Sequence, residues 1–147
     1  MKMLVCTDGS VPSQKAVEQA AIIAGCDNID EVAIIHVYED RQDERPLFIT
    51  SDKQEELVKK VKEEYENERK QILERARQVF MEKNIEVRTI LKKGHPAHTI
   101  VTLASSEGFD MIVIGSRGLG GLGKLFLGSV SNAVVHEARN CNVVIVK

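Results

Sequence analysis

The sequence predicts an α/β domain, a doubly wound open sheet of five parallel strands with helices on both faces. Three observations predict it. Short apolar runs alternate with longer stretches of helical period along the whole chain. The short runs read apolar on both faces, as strands buried between two layers do. Strands separated by helices then pair in parallel through right-handed crossovers, which build a doubly wound sheet.

The elements follow in order. Met3 to Thr7 reads as a buried strand ending at Asp8-Gly9-Ser10. Ser10 is placed to cap a helix that tolerates Pro12 in its first turn and stops at Gly25. Glu31 to Tyr38 is the second strand, apolar on both faces through Val32-Ala33-Ile34-Ile35. Asp40 to Asp52 is polar, contains Pro46 and reads as a loop. Lys53 to Lys83 reads as one long helix, with Leu57, Val61, Tyr65, Ile72, Ala76, Val79 and Phe80 on one stripe and Glu and Lys opposite. Ile85 to Leu91 is the third strand, and Gly94-His95-Pro96 opens a short helix to Glu107. Asp110 to Gly115 is the fourth strand, Ser129 to Arg139 the last helix and Asn142 to Val146 the fifth strand.

Length and composition fit one domain over residues 1–147, long enough to bury a sizeable core. Apolar residues make up 43% and charged residues 29%, which excludes disordered and low-complexity classes. Twenty Lys and Arg against twenty-two Asp and Glu leave a formal charge of −2, without the basic field that nucleic-acid binding needs. No apolar run approaches the ~20 residues of a membrane span. Met1 leads straight into the first strand without signal-peptide anatomy, and three scattered cysteines suit a reducing compartment. The expectation is a cytoplasmic protein that uses neither membrane nor nucleic acid.

Open α/β sheets bind ligands outside the carboxyl ends of their strands, where strand order reverses. Six of the chain's ten glycines fall between the fourth strand and the last helix, at 115, 118, 120, 121, 123 and 128. Glycine there lets a ligand approach the backbone, and Gly128-Ser129 opens a helix whose free N–H groups favour an anion. The physical reading is a phosphate cradle; the plain alternative is a flexible turn. Gly118 to Gly123 satisfies GxGxxG, but the region about 20 positions on, Asn142-Val143-Val144, holds no ribose-binding acid. Gly118 to Lys124 fits GxxxxGK, yet Leu125 stands where a P-loop needs a hydroxyl. Asp8, at a strand's carboxyl end, reads either as an Asx-turn that starts the first helix or as an acceptor for ribose or adenine hydrogens.

Gly115-Ser116-Arg117-Gly118, nine residues, then Gly128-Ser129 is the spacing G-x2-G-x9-G-(S/T). It resembles the ATP-binding signature of the universal stress protein family. Val5 to Ser10, Ile34-Ile35-His36-Val37, Gly94-His95-Pro96, Asp110 to Gly115 and Asn142 to Val146 resemble further segments of that family in the same order. The likeness is weakest from Asp40 to Lys83. It implies strand order 3-2-1-4-5 and a bound adenine nucleotide, ATP first, with AMP and cyclic AMP as alternatives and Mg or Mn accompanying the phosphates. Carried over residue by residue, Asp8 would contact the adenosine, and Cys6, Thr7 and Val37 would lie at the base and ribose pocket. Gly115, Arg117, Gly118, Gly128, Ser129, Val130 and Ser131 would surround the phosphates and ribose.

Other chemistry is thinly supported. His95 and His98 are separated by Pro96 and have no cluster of acids or cysteines nearby, so no metal site is expected. His36 reads as a satisfied core or subpocket histidine and His136 as solvated. No serine sits in a GxSxG elbow, and Cys6 reads as a small buried strand residue. No residue is named as catalytic. Val143 to Val146 would form a bare apolar edge, where two copies would join antiparallel as family dimers do. Val144→Pro is then expected to separate them. The leading function is an ATP-binding stress-response protein acting as a dimeric nucleotide-dependent switch. The alternatives are a slow ATP hydrolase and a dimeric scaffold or chaperone-like protein.

Overall fold

The structure, a computed structural model, describes residues 1–26, 28–40, 52–118 and 127–147. Its elements are β1 (Lys2–Cys6), α1 (Val11–Cys26), β2 (Glu31–Tyr38), α2 (Asp52–Met81), β3 (Arg88–Lys93), α3 (Pro96–Glu107), β4 (Met111–Gly115), α4 (Ser129–Glu137) and β5 (Asn142–Val146). All strand pairs are parallel and the order is β3-β2-β1-β4-β5. The predicted fold class and strand order are what the chain adopts.

The period of two along the strands divides the core into two layers. Met3 and Val5 of β1, Val32 and Ile34 of β2 and Val113 of β4 pack with Ala16, Val17 and Ala20 of α1 and Leu73, Ala76 and Phe80 of α2. Their neighbours Leu4, Cys6, Ala33, Ile35, Ile112 and Ile114 face the opposite way, onto Ala97, Ile100 and Leu103 of α3 and Val134 of α4. Because both faces are covered, the central strands are apolar throughout. At their amino ends, Lys2, Glu31, Arg88 and Glu107 form a linked ion network that ties β1, β2, β3 and α3 together.

Two expectations need correction. The third strand is Arg88–Lys93, not Ile85–Leu91. Helix α2 closes with a left-handed Asn84 (φ 57°), and the Ile85 and Asn84 N–H groups donate to Phe80 O and Met81 O at 3.0 and 2.9 Å. Ile85 and Val87 still pack on the core, but their backbones belong to this helix stop and its exit, and pairing with β2 begins only at Ala33 opposite Arg88. The second correction concerns the stripe along α2. Ile72, Ala76 and Phe80 are buried, as are Leu73 and Arg69, whereas Leu57 is 62% exposed. A 30-residue helix is about 45 Å long and an eight-residue strand about 26 Å, so only the carboxyl half of α2 can lie on the sheet.

Smaller shifts occur at element ends. Helix α1 runs through Gly25 to Cys26, and α4 stops at Glu137 where Ala138 turns extended (φ −69°, ψ 111°). The loop expected from Asp40 to Asp52 lies, over 41–51, outside the described residues, and Asp52 opens α2.

Candidate ligand site at the strand-order reversal

From β1 the chain moves outward through β2 to β3, then returns to add β4 and β5 on the other side. The crevice this leaves at the carboxyl ends of β1 and β4 brings Asp8 against Gly118: a Cβ built on Gly118 would lie 2.5 Å from Asp8 Oδ2.

On the β1 side, the turn into α1 is a linked set of hydroxyls and amides. Asp8 Oδ1 accepts from the Ser10 N–H at 3.0 Å and from the Ser10 hydroxyl at 2.5 Å. Asp8 therefore does form the Asx-turn, with Gly9 at φ +79° between them. Ser10 Oγ in turn lies 3.3 Å from the Ser13 N–H, so the predicted helix cap is present. Ser13 donates to Ser10 O at 2.9 Å. With that proton committed, the 3.3 Å contact between Thr7 Oγ1 and Ser13 Oγ has Thr7 as donor. Thr7 Oγ1 also accepts from the Gly9 N–H at 3.3 Å. The Ile72 side chain seals the turn from α2, 3.1 Å from where a Gly9 Cβ would stand.

On the β4 side, Gly115 ends the strand in a place with no room for a side chain. A Cβ there would meet the Pro12 carbonyl at 2.7 Å and the Ser13 nitrogen at 2.9 Å. The chain leaves through Ser116, whose N–H donates to Val146 O at 2.6 Å, and comes back at Gly128, whose N–H donates to Ser116 O at 2.7 Å. The two stems of the glycine-rich stretch are thus tied together, with a Gly128 Cβ position 3.3 Å from Arg117 Cα. Residues 119–126 lie outside the described residues.

Gly128 is the N-cap of α4, in extended conformation and with no side-chain cap hydrogen bond. The first intrahelical bond runs from the Asn132 N–H to Gly128 O, so Ser129, Val130 and Ser131 supply the first-turn amides. Ser129 is exposed, whereas Ser131 is buried and its hydroxyl donates to Gly115 O at 2.7 Å. The Ser131 hydroxyl is thus turned inward, and what this residue presents at the helix start is its backbone. Arg117 is exposed at the stem.

Val37 and Val130 are half-buried and pack against the core cluster that contains Cys6. Burial, with a smaller contribution from Cys141, pushes the Cys6 thiol far up, so it is an inert apolar neighbour. His36 is buried beside Val37 with Nδ1 2.8 Å from Thr7 O, the satisfied histidine expected. This contact joins the end of β2 to that of β1. The structure thus gathers Thr7, Asp8, Gly118, Gly128 and the α4 amides at one crevice. Sequence reading missed Ser13 and Ser116, both buried links; the signal for Ser13 was its spacing three residues beyond Ser10.

Among the described residues, no group of three or more His, Cys, Asp or Glu could hold a metal ion, and His95 and His98 are exposed. No helix among them is long and apolar enough to cross a membrane.

A doubly wound parallel sheet with a helix start and a glycine-bounded stem at its switch point defines the class, an open-sheet α/β protein. Comparison with known proteins narrows this class. The model of the universal stress protein family matches residues 1–147, and the chain belongs to that family. It is 35% identical to universal stress protein YxiE of Bacillus subtilis over 99% of this chain and 98% of that one. The structure of MJ0577 from Methanocaldococcus jannaschii is similar with a TM-score of 0.78 at 28% identity, covering 99% of this chain and 94% of that one. A universal stress protein solved in complex with cAMP shares the fold at a TM-score of 0.69 and 24% identity, covering 100% and 96% of the two chains.

Proposed function

We propose that this chain binds an adenine nucleotide, ATP, in the crevice between β1 and β4 and acts as a dimeric nucleotide-dependent switch in the cytoplasm. The observation that carries the reading is the start of α4. Its N-cap is a glycine, which brings no side chain of its own to the cap, its first amides adjoin the tied stems of Gly118 and Gly128, and Asp8 stands across the crevice. Backbone N–H groups at a helix start suit phosphate, and a carboxylate suits ribose or adenine donors. The G-x2-G-x9-G-S spacing supports the ATP-binding branch of the family, and the relative in complex with cAMP supports an adenine nucleotide as the ligand class.

In this reading Cys6, Thr7 and Val37 border the base and ribose, while Gly115, Arg117, Gly118, Gly128, Ser129, Val130 and Ser131 border the phosphates. Magnesium or manganese enters with the triphosphate. Asp8 Oδ1 already accepts twice from Ser10, which suits a carboxylate that holds a ligand better than one that takes a proton from water. Occupation changes the surface around the α4 start, and that surface is what a partner reads. Titration of nucleotide-stripped protein with MgATP by calorimetry, at two temperatures, tests the reading. Saturable binding near one per subunit, lost in Gly118→Val, is expected; a folded wild type that gives no heat at either temperature overturns it.

A further inference from the structure

We infer that Ser13 is a positioning residue for the ligand site, holding Asp8 and Thr7 in place without touching ligand itself; the inference rests on the nucleotide reading above. Ser13 is 4% exposed and lies in the first turn of α1, beneath the crevice. One hydroxyl reaches three separate pieces of backbone or side chain. Its proton goes to Ser10 O at 2.9 Å, and its oxygen faces the Thr7 hydroxyl at 3.3 Å and the Asp8 N–H at 3.4 Å.

The direction of the chain follows from counting protons. Each hydroxyl has one to give, so Gly9 N–H points to Thr7, Thr7 to Ser13, and Ser13 to Ser10 O. Ser10 gives its own proton to Asp8 Oδ1. Asp8 is therefore held twice, its carboxylate by Ser10 and its backbone by Ser13. The contacts of Ser13 Oγ with Thr7 and Asp8, at 3.3 and 3.4 Å, are longer than its bond to Ser10 O. Ser13 also joins the two sides of the crevice, because its backbone nitrogen packs where a Gly115 side chain would otherwise stand.

A double-mutant cycle separates positioning from simple support of the fold. ATP affinity is measured for wild type, Ser13→Ala, Asp8→Asn and the double variant, with Ile112→Val as a core-destabilised control remote from the turn. Ser13→Ala is expected to weaken ATP binding about tenfold, the loss of roughly one buried hydrogen-bonded link. Ile112→Val should leave affinity unchanged despite lower stability. In the Asp8→Asn background, Ser13→Ala should cost less than it does in wild type, because the Asp8 carboxylate it would misplace is already gone while the Thr7 link remains. Ser13→Cys, nearly the same size with weaker hydrogen bonding, should give an intermediate loss, and it replaces Ser13→Ala in the cycle should that variant fail to fold. Wild-type affinity in Ser13→Ala, or losses that add in the double variant, overturn the inference. A wild type that does not bind ATP overturns the nucleotide reading itself, a distinct result because every variant is then silent.

Discussion

Asp8 and Gly118 come from opposite sides of the strand-order reversal and meet so closely that a side chain at 118 would have to displace the Asp8 carboxylate. Asp8 Oδ2 lies 2.5 Å from the position of a Gly118 Cβ. The φ angle of Gly118 is not left-handed, so a side chain there would act through the Asp8 carboxylate it displaces and not through backbone strain.

Gly118→Ala should therefore act on the ligand site and spare the fold. The added methyl forces Asp8 away from its place, so ATP affinity should fall by about tenfold or more, the effect of losing one hydrogen bond to a charged group. Gly118 is exposed, and unfolding free energy should stay within about 0.5 kcal/mol of wild type. Calorimetry beside urea unfolding checks both halves; unchanged affinity would remove Asp8 from the site.

Gly115→Ala should do the reverse. Its Cβ would stand 2.7 Å from the Pro12 carbonyl carbon and oxygen, a backbone wall at the start of α1 that cannot rotate away. Overpacking of this kind costs about 1–3 kcal/mol. Urea midpoints measure it, and an unaltered midpoint would mean that α1 shifts freely relative to β4.

Along α2, the same sequence stripe should divide in energy. Phe80 is fully buried, and Phe80→Ala should cost about 3–5 kcal/mol. Leu57 is 62% exposed, and Leu57→Ala should stay within about 0.5 kcal/mol. Equal losses at the two positions would show that the amino half of α2 is packed in solution.

The buried Cys6 thiol gives a signature in alkali. Burial raises its pKa far above the ordinary 9.0, so the folded chain keeps the proton that the unfolded chain gives up. The folded state then binds more protons, and stability falls as pH rises above about 9, with a limiting slope of roughly 1.4 kcal/mol per pH unit for one group. Cys141, raised more modestly by burial, adds in the same sense. Urea unfolding from pH 8 to 10 should show a shallower decline in Cys6→Ala; parallel curves would place the effect elsewhere.

Much of this protein is readable before its structure, and the parts that are not share a cause. The strands β2 and β5 and helix α3 fall where their apolar runs and the Gly94-His95-Pro96 entry put them, because local pattern and tertiary burial agree. β3 was displaced since Ile85 and Val87 are apolar for the core's sake while Asn84 controls the backbone. Arg69 reads as one more charge on a charged helix; only the fold shows its guanidinium 3.8 Å over the Tyr38 ring. At the site, Asp8, Gly118 and Gly128 stood out by type and spacing. The inward turn of the Ser131 hydroxyl and the reach of Ser13 depend on which strand end lies beneath each residue, information held in the topology.

The proposed dimer can be tested at the edge strand, and the register corrects which residue to change. Among the described residues β5 is an edge of the sheet, pairing only with β4. The Asn142 N–H donates to Asp110 O and Val146 O accepts from the Ser116 N–H, both bonds toward β4. Backbone groups in a strand alternate sides, so Val144, between these two, also faces β4, opposite Val113. Val144→Pro would break this ladder within one chain, contrary to the expectation that it separates two. Val143 and Ile145 direct their N–H groups to the open edge, where proline is tolerated within a subunit yet removes a donor from any strand that adds there. Ile145→Pro should therefore give a folded monomer by solution scattering at micromolar concentration, against a dimer for wild type, and Val144→Pro a protein of lower unfolding midpoint. A folded Ile145→Pro with the wild-type dimer mass would move the contact to another surface.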